Sequence, residues 1–168
     1  MIAPAGIRTL LLLVALAVAA VAVAPRPAAA VVPGANGRIV FVSIPDPISP
    51  ADDDYEILTM EADGSDLQRL TTNTTDEYSP VWSPDGTKIA FSSNLSGDYE
   101  IHVMDADGSN VVNLTKTPGI DETPAWSPDG KKIAFTSARG GGLSDLAIWV
   151  MNADGTNQTK LTTLAGGE

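Results

Sequence analysis

Cysteine is absent from this chain of 168 residues, and histidine occurs once, at His102. Without a thiol there is no disulfide framework to trace and no cysteine to carry a lipid anchor. With no second histidine and no G-x-S-x-G either, the usual nucleophile triads cannot be assembled. Positive charge is scarce as well: ten basic residues face 21 acidic ones, for a formal net charge of −11. Nothing forms a basic stripe, so the charge balance argues against a nucleic-acid partner. Cations, basic proteins and positively charged peptides are the partners such a surface attracts, and a merely solvated surface is the plain alternative.

Long apolar runs are missing except near the N-terminus. There Arg8 precedes an uncharged, mostly apolar run from Thr9 to Ala24, and "PRPAAA" ends it with small residues. This is the pattern of a secretory signal peptide over residues 1–30, cleaved after Ala30. A spanning helix needs ~20 apolar residues, and Pro25, Arg26 and Pro27 break this run early; an uncleaved anchor is the rival reading. Removing Arg8 and Arg26 leaves eight basic residues against 21 acids, a charge of −13. The expected mature chain, residues 31–168, is exported to the periplasm or the cell exterior and spans no membrane after cleavage. It is long enough for one domain.

What the chain has in abundance is repetition. "PVWSPDGTKIAFSS" from Pro80 and "PAWSPDGKKIAFTS" from Pro124 agree at eleven of fourteen positions, and Trp82 and Trp126 are 44 residues apart. "EADGSD", "DADGSN" and "NADGTN" begin at Glu61, Asp105 and Asn152. Before each lies an apolar run ("YEILTM", "YEIHVM", "LAIWVM"), and after each a segment ending in leucine-threonine ("LQRLT", "VVNLT", "QTKLT"). The runs are too short for helices and rich in β-formers, and turn residues bound them. "SPDG" and "ADG" supply hairpin turns, so each unit reads as a four-stranded antiparallel meander, strands a to d. In strand c, Ile57, Ile101 and Ile148 share one face, and Leu58, His102 and Trp149 share the other. Large apolar residues on both faces suit a sheet sandwiched between two others. A unit of this size with four strands is a propeller blade.

The wording "WSPDG…KIAF…I.VM.ADGS…LT" resembles the TolB-like β-propeller repeat family, over Gly37 to Thr163. The resemblance implies an all-β propeller, commonly six-bladed, in envelope or secreted bacterial proteins. The best-known member of that family is periplasmic and binds other envelope proteins through its propeller. It also carries an N-terminal α/β domain, for which Ala30 to Gly37 leaves no room, so its partners do not carry over. The expected blades are about 37–72, 78–116 and 122–163. The first lacks "PxWSPDG", so three, four and four strands are expected, and an incomplete propeller. Closure takes at least ~4 blades. The expectation is therefore a truncated reading frame or fragment, or else self-association, two copies completing six blades.

The tight turns "SPDG" and "ADGS" fall at one end of each blade, and the variable b–c and d–a connections at the other. Variable loops gathered on one face mark a binding face. The candidates there are Asp52, Asp53, Asp54, Asp76, Glu77, Asp98, Asp121, Glu122, Arg139 and Asp145, with the two Asp/Glu pairs near the mouth of the central channel. An acidic ring at such a mouth attracts a cation or a basic peptide; solvated loop acids account for the same residues.

No catalytic, cofactor or metal residues are expected. His102 takes the place of Leu58 and Trp149 and is expected to pack within a blade. "DADGSN" has its glycine two positions early for a calcium loop and no glutamate in register, so a hairpin turn explains it. The sequons at Asn73, Asn94, Asn113 and Asn157 are read as chance in an exported bacterial chain. Two functions remain: an exported non-catalytic propeller that binds a protein or peptide on its acidic loop face, and the propeller portion of a secreted hydrolase, peptidase or lyase whose catalytic domain lies elsewhere. The processing expectation is direct: mass spectrometry of the mature protein should find Val31 at or near its N-terminus, and a protein retaining Met1 to Ala30 would contradict it.

Overall fold

The computed structural model describes residues 37–43, 54–139 and 146–162. Among them every regular element is a strand. The first sheet holds β1 (Arg38–Ser43), β2 (Glu56–Glu61) and β3 (Gln68–Arg69). The second holds β4 (Glu77–Trp82), β5 (Lys88–Ser93), β6 (Glu100–Asp105) and β7 (Val112–Asn113). The third holds β8 (Asp121–Trp126), β9 (Lys132–Ser137), β10 (Ala147–Asn152) and β11 (Thr159–Lys160). Each sheet is an antiparallel meander of chain neighbours, in the expected numbers of three, four and four strands. They are propeller blades, and they do not close into a ring.

Turn chemistry sets where each strand reverses. In "SPDG" the Asp85 carboxylate accepts from the Ser83 hydroxyl at 2.6 Å and the Thr87 amide at 3.0 Å, and Asp129 repeats the arrangement with Ser127 and Lys131. The glycine of "ADG" answers to a tertiary demand. Gly108 has φ +86°, and a Cβ there would lie 2.6 Å from the Leu70 carbonyl oxygen of the preceding blade. Gly155 meets the Leu114 carbonyl at 2.9 Å in the same way. Two residues after each of these glycines, Asn110 and Asn157 also take positive φ, as does Asp66 in the first blade. Asn and Asp tolerate that conformation best among non-glycine residues.

The inner strands carry a defect at the same point of both complete repeats. Pro80 and Pro124 donate no ladder hydrogen bond, and the register slips between Tyr78 and Val81 and between Glu122 and Ala125. Just before each proline, Ser79 and Thr123 sit at φ 51° and 53°. These are β-bulges, which bend the strand and turn its side chains aside.

Blades stack through their apolar faces. Ile57, Ile89, Phe91 and Met104 form the core between the first and second, with Val40, Val42, Leu70 and Trp82 against it. Ala90, Ile101, Val103, Ile133, Phe135 and Met151 form the core between the second and third, flanked by Val81, Leu114, Trp126 and Trp149. Burying an isoleucine such as Ile57 or Ile101 stabilises the stack by about 1.5–3 kcal/mol. His102 is 2% exposed, stacks on Phe91 at 5.6 Å, and burial lowers its pKa. It is a packing residue, as its repeat position implied.

Trp82 and Trp126 lie at blade junctions, as expected. Trp126→Ala should lower stability by about 3 kcal/mol, read as a clear fall in Tm by circular dichroism. An unchanged melt would remove Trp126 from the core.

Candidate functional site

At the loop end, the start of each inner strand is tied to the blade before it. The Glu77 amide donates to the Tyr55 carbonyl at 2.9 Å, and the Asp121 amide to the Tyr99 carbonyl at 2.8 Å. Glu77 and Asp121 therefore open β4 and β8 and pair with Ser93 and Ser137. Strand alternation then sends neighbouring side chains to opposite sides. Glu56, Glu77, Glu100 and Asp121 turn into the junctions, where each is at most 5% exposed.

Each junction thus buries two carboxyl groups, and one arginine. At the first, Arg69 Nη2 bonds Glu56 Oε1 at 2.5 Å. Glu77 Oε1 accepts from Asn73, Thr75 and Ser93, while the Oε2 atoms of both glutamates are buried without a partner. At the second, Arg139 bonds Asp121 through Nε and Nη2, the latter at 2.6 Å. Glu100 there accepts from the Thr115 hydroxyl and the Thr117 amide. The arginine thus sits on the strand-c acid at one junction and on the strand-a acid at the other. Burial pushes up the pKa of the acid left without it, Glu77 or Glu100, and the neighbouring carboxylate, Glu56 or Asp121, raises it further.

Three residues expected on the binding face are therefore structural. Glu77 and Asp121 are 1% and 0% exposed. Arg139 is bound to Asp121, lies 4.9 Å from the Trp149 ring centroid and 5.3 Å from that of Phe135, and bonds Gln158. For Glu77 and Asp121 the reason is strand phase, which puts the first residue of each inner strand inside the junction. Asp76, Asp98 and Glu122 do reach the loop end, with Asp98 exposed and the other two half-buried. None of these three has an ion-pair partner among the described residues. Asp54 is half-buried, and Asp52, Asp53 and Asp145 lie outside the described residues.

The same alternation brings out three tyrosines that sequence reasoning passed over. Tyr55 and Tyr78 have ring centroids 4.9 Å apart, and Tyr78 and Tyr99 5.7 Å apart. Asp76 is bound among them, its carboxylate accepting from the Tyr55 amide at 3.2 Å. Burial, with Asp76 adding to it, pushes the Tyr78 hydroxyl up to about 12 and raises that of Tyr99. A cavity of about 310 Å³ opens beside them, lined by Tyr78, Ser79, Ser92, Tyr99, Glu122 and Thr123. The signal was present in "DDYE", "GDYE" and "DEY", where tyrosine always neighbours an acid. Among the described residues, no three acids or histidines converge as a metal site.

Residues 76–168 match the profile of the TolB beta propeller domain family. The structure is similar to the putative TolB of Agrobacterium tumefaciens, with TM-score 0.67 and 28% identity, over 76% of this chain and 46% of that one. It is similar to TolB of Acinetobacter baumannii, with TM-score 0.65 and 27% identity, over 79% of this chain and 32% of that one. Dipeptidyl-peptidase 5 of Porphyromonas gingivalis is 35% identical over 68 residues, which are 40% of this chain and 10% of the peptidase. The chain spans less than half the length of each of these relatives.

The acid pairs make stability depend on pH with a definite sign. Glu77 and Glu100 have folded pKa values above the ordinary 4.5. Their contribution is complete below that value and is lost as pH rises through the raised ones. Glu77→Gln and Glu100→Gln, which stay neutral, should flatten this loss in Tm measured from pH 5 upward. Asp121→Asn leaves the Arg139 charge unpaired in the junction and should cost about 3–5 kcal/mol at neutral pH by denaturant titration.

Proposed function

The chain belongs to the TolB beta propeller domain family, and on that premise we propose that it is an exported, non-catalytic binding module whose loop end takes a basic protein or peptide segment. One observation carries the reading. The adjoining, mutually tilted rings of Tyr55, Tyr78 and Tyr99 share one end of the blades with Asp76, Asp98 and Glu122, acids without an ion-pair partner among the described residues. Aromatic faces and unpaired carboxylates together attract cationic side chains. The net charge of −11 extends the attraction beyond contact distance. The apolar run from Thr9 to Ala24 and "PRPAAA" support export, although they lie outside the described residues. Among the described residues, no helix is long and apolar enough to cross a membrane.

A second reading has its own support. The 68-residue match to a dipeptidyl-peptidase favours the propeller portion of a secreted peptidase. A peptidase domain encoded in the same reading frame as these blades would establish that reading and displace the first.

Calorimetric titration with a lysine-rich decapeptide should show binding that weakens at least tenfold between 50 mM and 500 mM salt, whereas a glutamate-rich decapeptide should not bind. The double variant Asp76→Asn/Glu122→Gln should weaken it about tenfold further. Equal binding of both peptides would defeat the proposal.

A further inference from the structure

The cavity beside the tyrosines has a more specific chemistry than the face around it. Its walls come from two blades at equivalent repeat positions: Tyr78 and Ser79 from the second, Glu122 and Thr123 from the third, with Tyr99 and Ser92 completing it. The bulges at Ser79 and Thr123 displace the inner strands at this point, turning backbone that would continue the ladder into cavity wall. The Thr123 amide donates to Ser92 Oγ across the junction at 3.2 Å, which fixes one wall against the other. The site is therefore formed in advance of any ligand, so little ordering is left to binding.

Every polar group it offers favours a cation with several donors. The Glu122 carboxylate is an acceptor without an ion-pair partner among the described residues, and the exposed Ser79 lines the same space, while Ser92 is completely buried behind it. The faces of Tyr78 and Tyr99 are negative, and Asp76 and Glu122 lie close enough to Tyr99 to act on its hydroxyl. A lysyl ammonium carries three donors that rotate freely, and a guanidinium offers a planar fork that one carboxylate accepts, so either head suits Glu122 beside the tyrosine faces. We propose that the cavity between Tyr78, Tyr99 and Glu122 is a subsite for one basic side chain of the partner, its charged head held by Glu122 beside Ser79 and its stem along the tyrosine rings. This rests on the loop end being the binding face.

Nuclear magnetic resonance of the protein with labelled tyrosine tests the assignment. N-acetyl-lysine methylamide should shift the Tyr78 and Tyr99 ring signals saturably. The norleucine analogue, which has the stem without the charge, should leave them in place, and the arginine analogue should shift them as well. Glu122→Gln should weaken the lysine probe about tenfold with an unchanged melt. Norleucine shifting the same signals, or lysine and arginine both leaving them in place, would overturn the subsite. So would a lysine-rich decapeptide that binds while both ring signals stay still, and in that case the loop face would stand as the binding face. If no basic peptide binds at all, the face and its subsite fall together.

Discussion

Everything in this molecule hangs on blades that are apolar on both faces and must stack to hide them. Ile57 and Ile101 are completely buried because the next blade brings Ile89 and Phe91, or Ile133 and Phe135, against them. Ile148 holds the same repeat position in the third blade and is 38% exposed. The contrast shows that burial here belongs to the junction and not to the strand. A single meander of this size has no core of its own, so the junction is the unit of stability.

The junction also decides what the loop end displays. It tolerates charge only where an arginine or a retained proton answers it, and it draws Glu56, Glu77, Glu100 and Asp121 inward as ties between blades. Their chain neighbours stay half-buried at the loop end: Tyr55, Tyr78, Tyr99 and Glu122. The candidate binding face is in this sense a by-product of how the junction is closed.

Where the repeats diverge, the junctions diverge with them. At the turn end of the first blade, Arg38 bonds Thr59, Glu61 and Asp66. In the second blade Lys88 takes the place of Arg38 and pairs with Asp105 at 2.8 Å. Val103 and Val112 stand where the first blade has Thr59 and Gln68, and a cavity of about 450 Å³ opens there, lined also by Leu114 and Trp126. The backbone plan is constant, while the side chains that fill it are free to vary.

The strand plan was legible in the residues because turn chemistry is local. "SPDG" and "ADG" specify reversals within four residues, and the alternation of strand c announces two buried faces; three, four and four strands followed. The role of His102 was legible for the same reason, through its place in the repeat. The candidate site was legible only as a region. "DEY" at Asp76 to Tyr78 and "DET" at Asp121 to Thr123 look alike as text, yet Asp76 and Glu122 reach the loop end while Glu77 and Asp121 are sealed in. What separates them is the phase of each inner strand, set by the bonds from the Glu77 and Asp121 amides to the Tyr55 and Tyr99 carbonyls of the preceding blade. Arg139 pairs with Asp121, and Arg69 with Glu56, within their own blades. The sequence by itself determined the blades; the stacking of one blade on the next decided which carboxylates meet the solvent, because a side chain's direction depends on a neighbour that local sequence does not name.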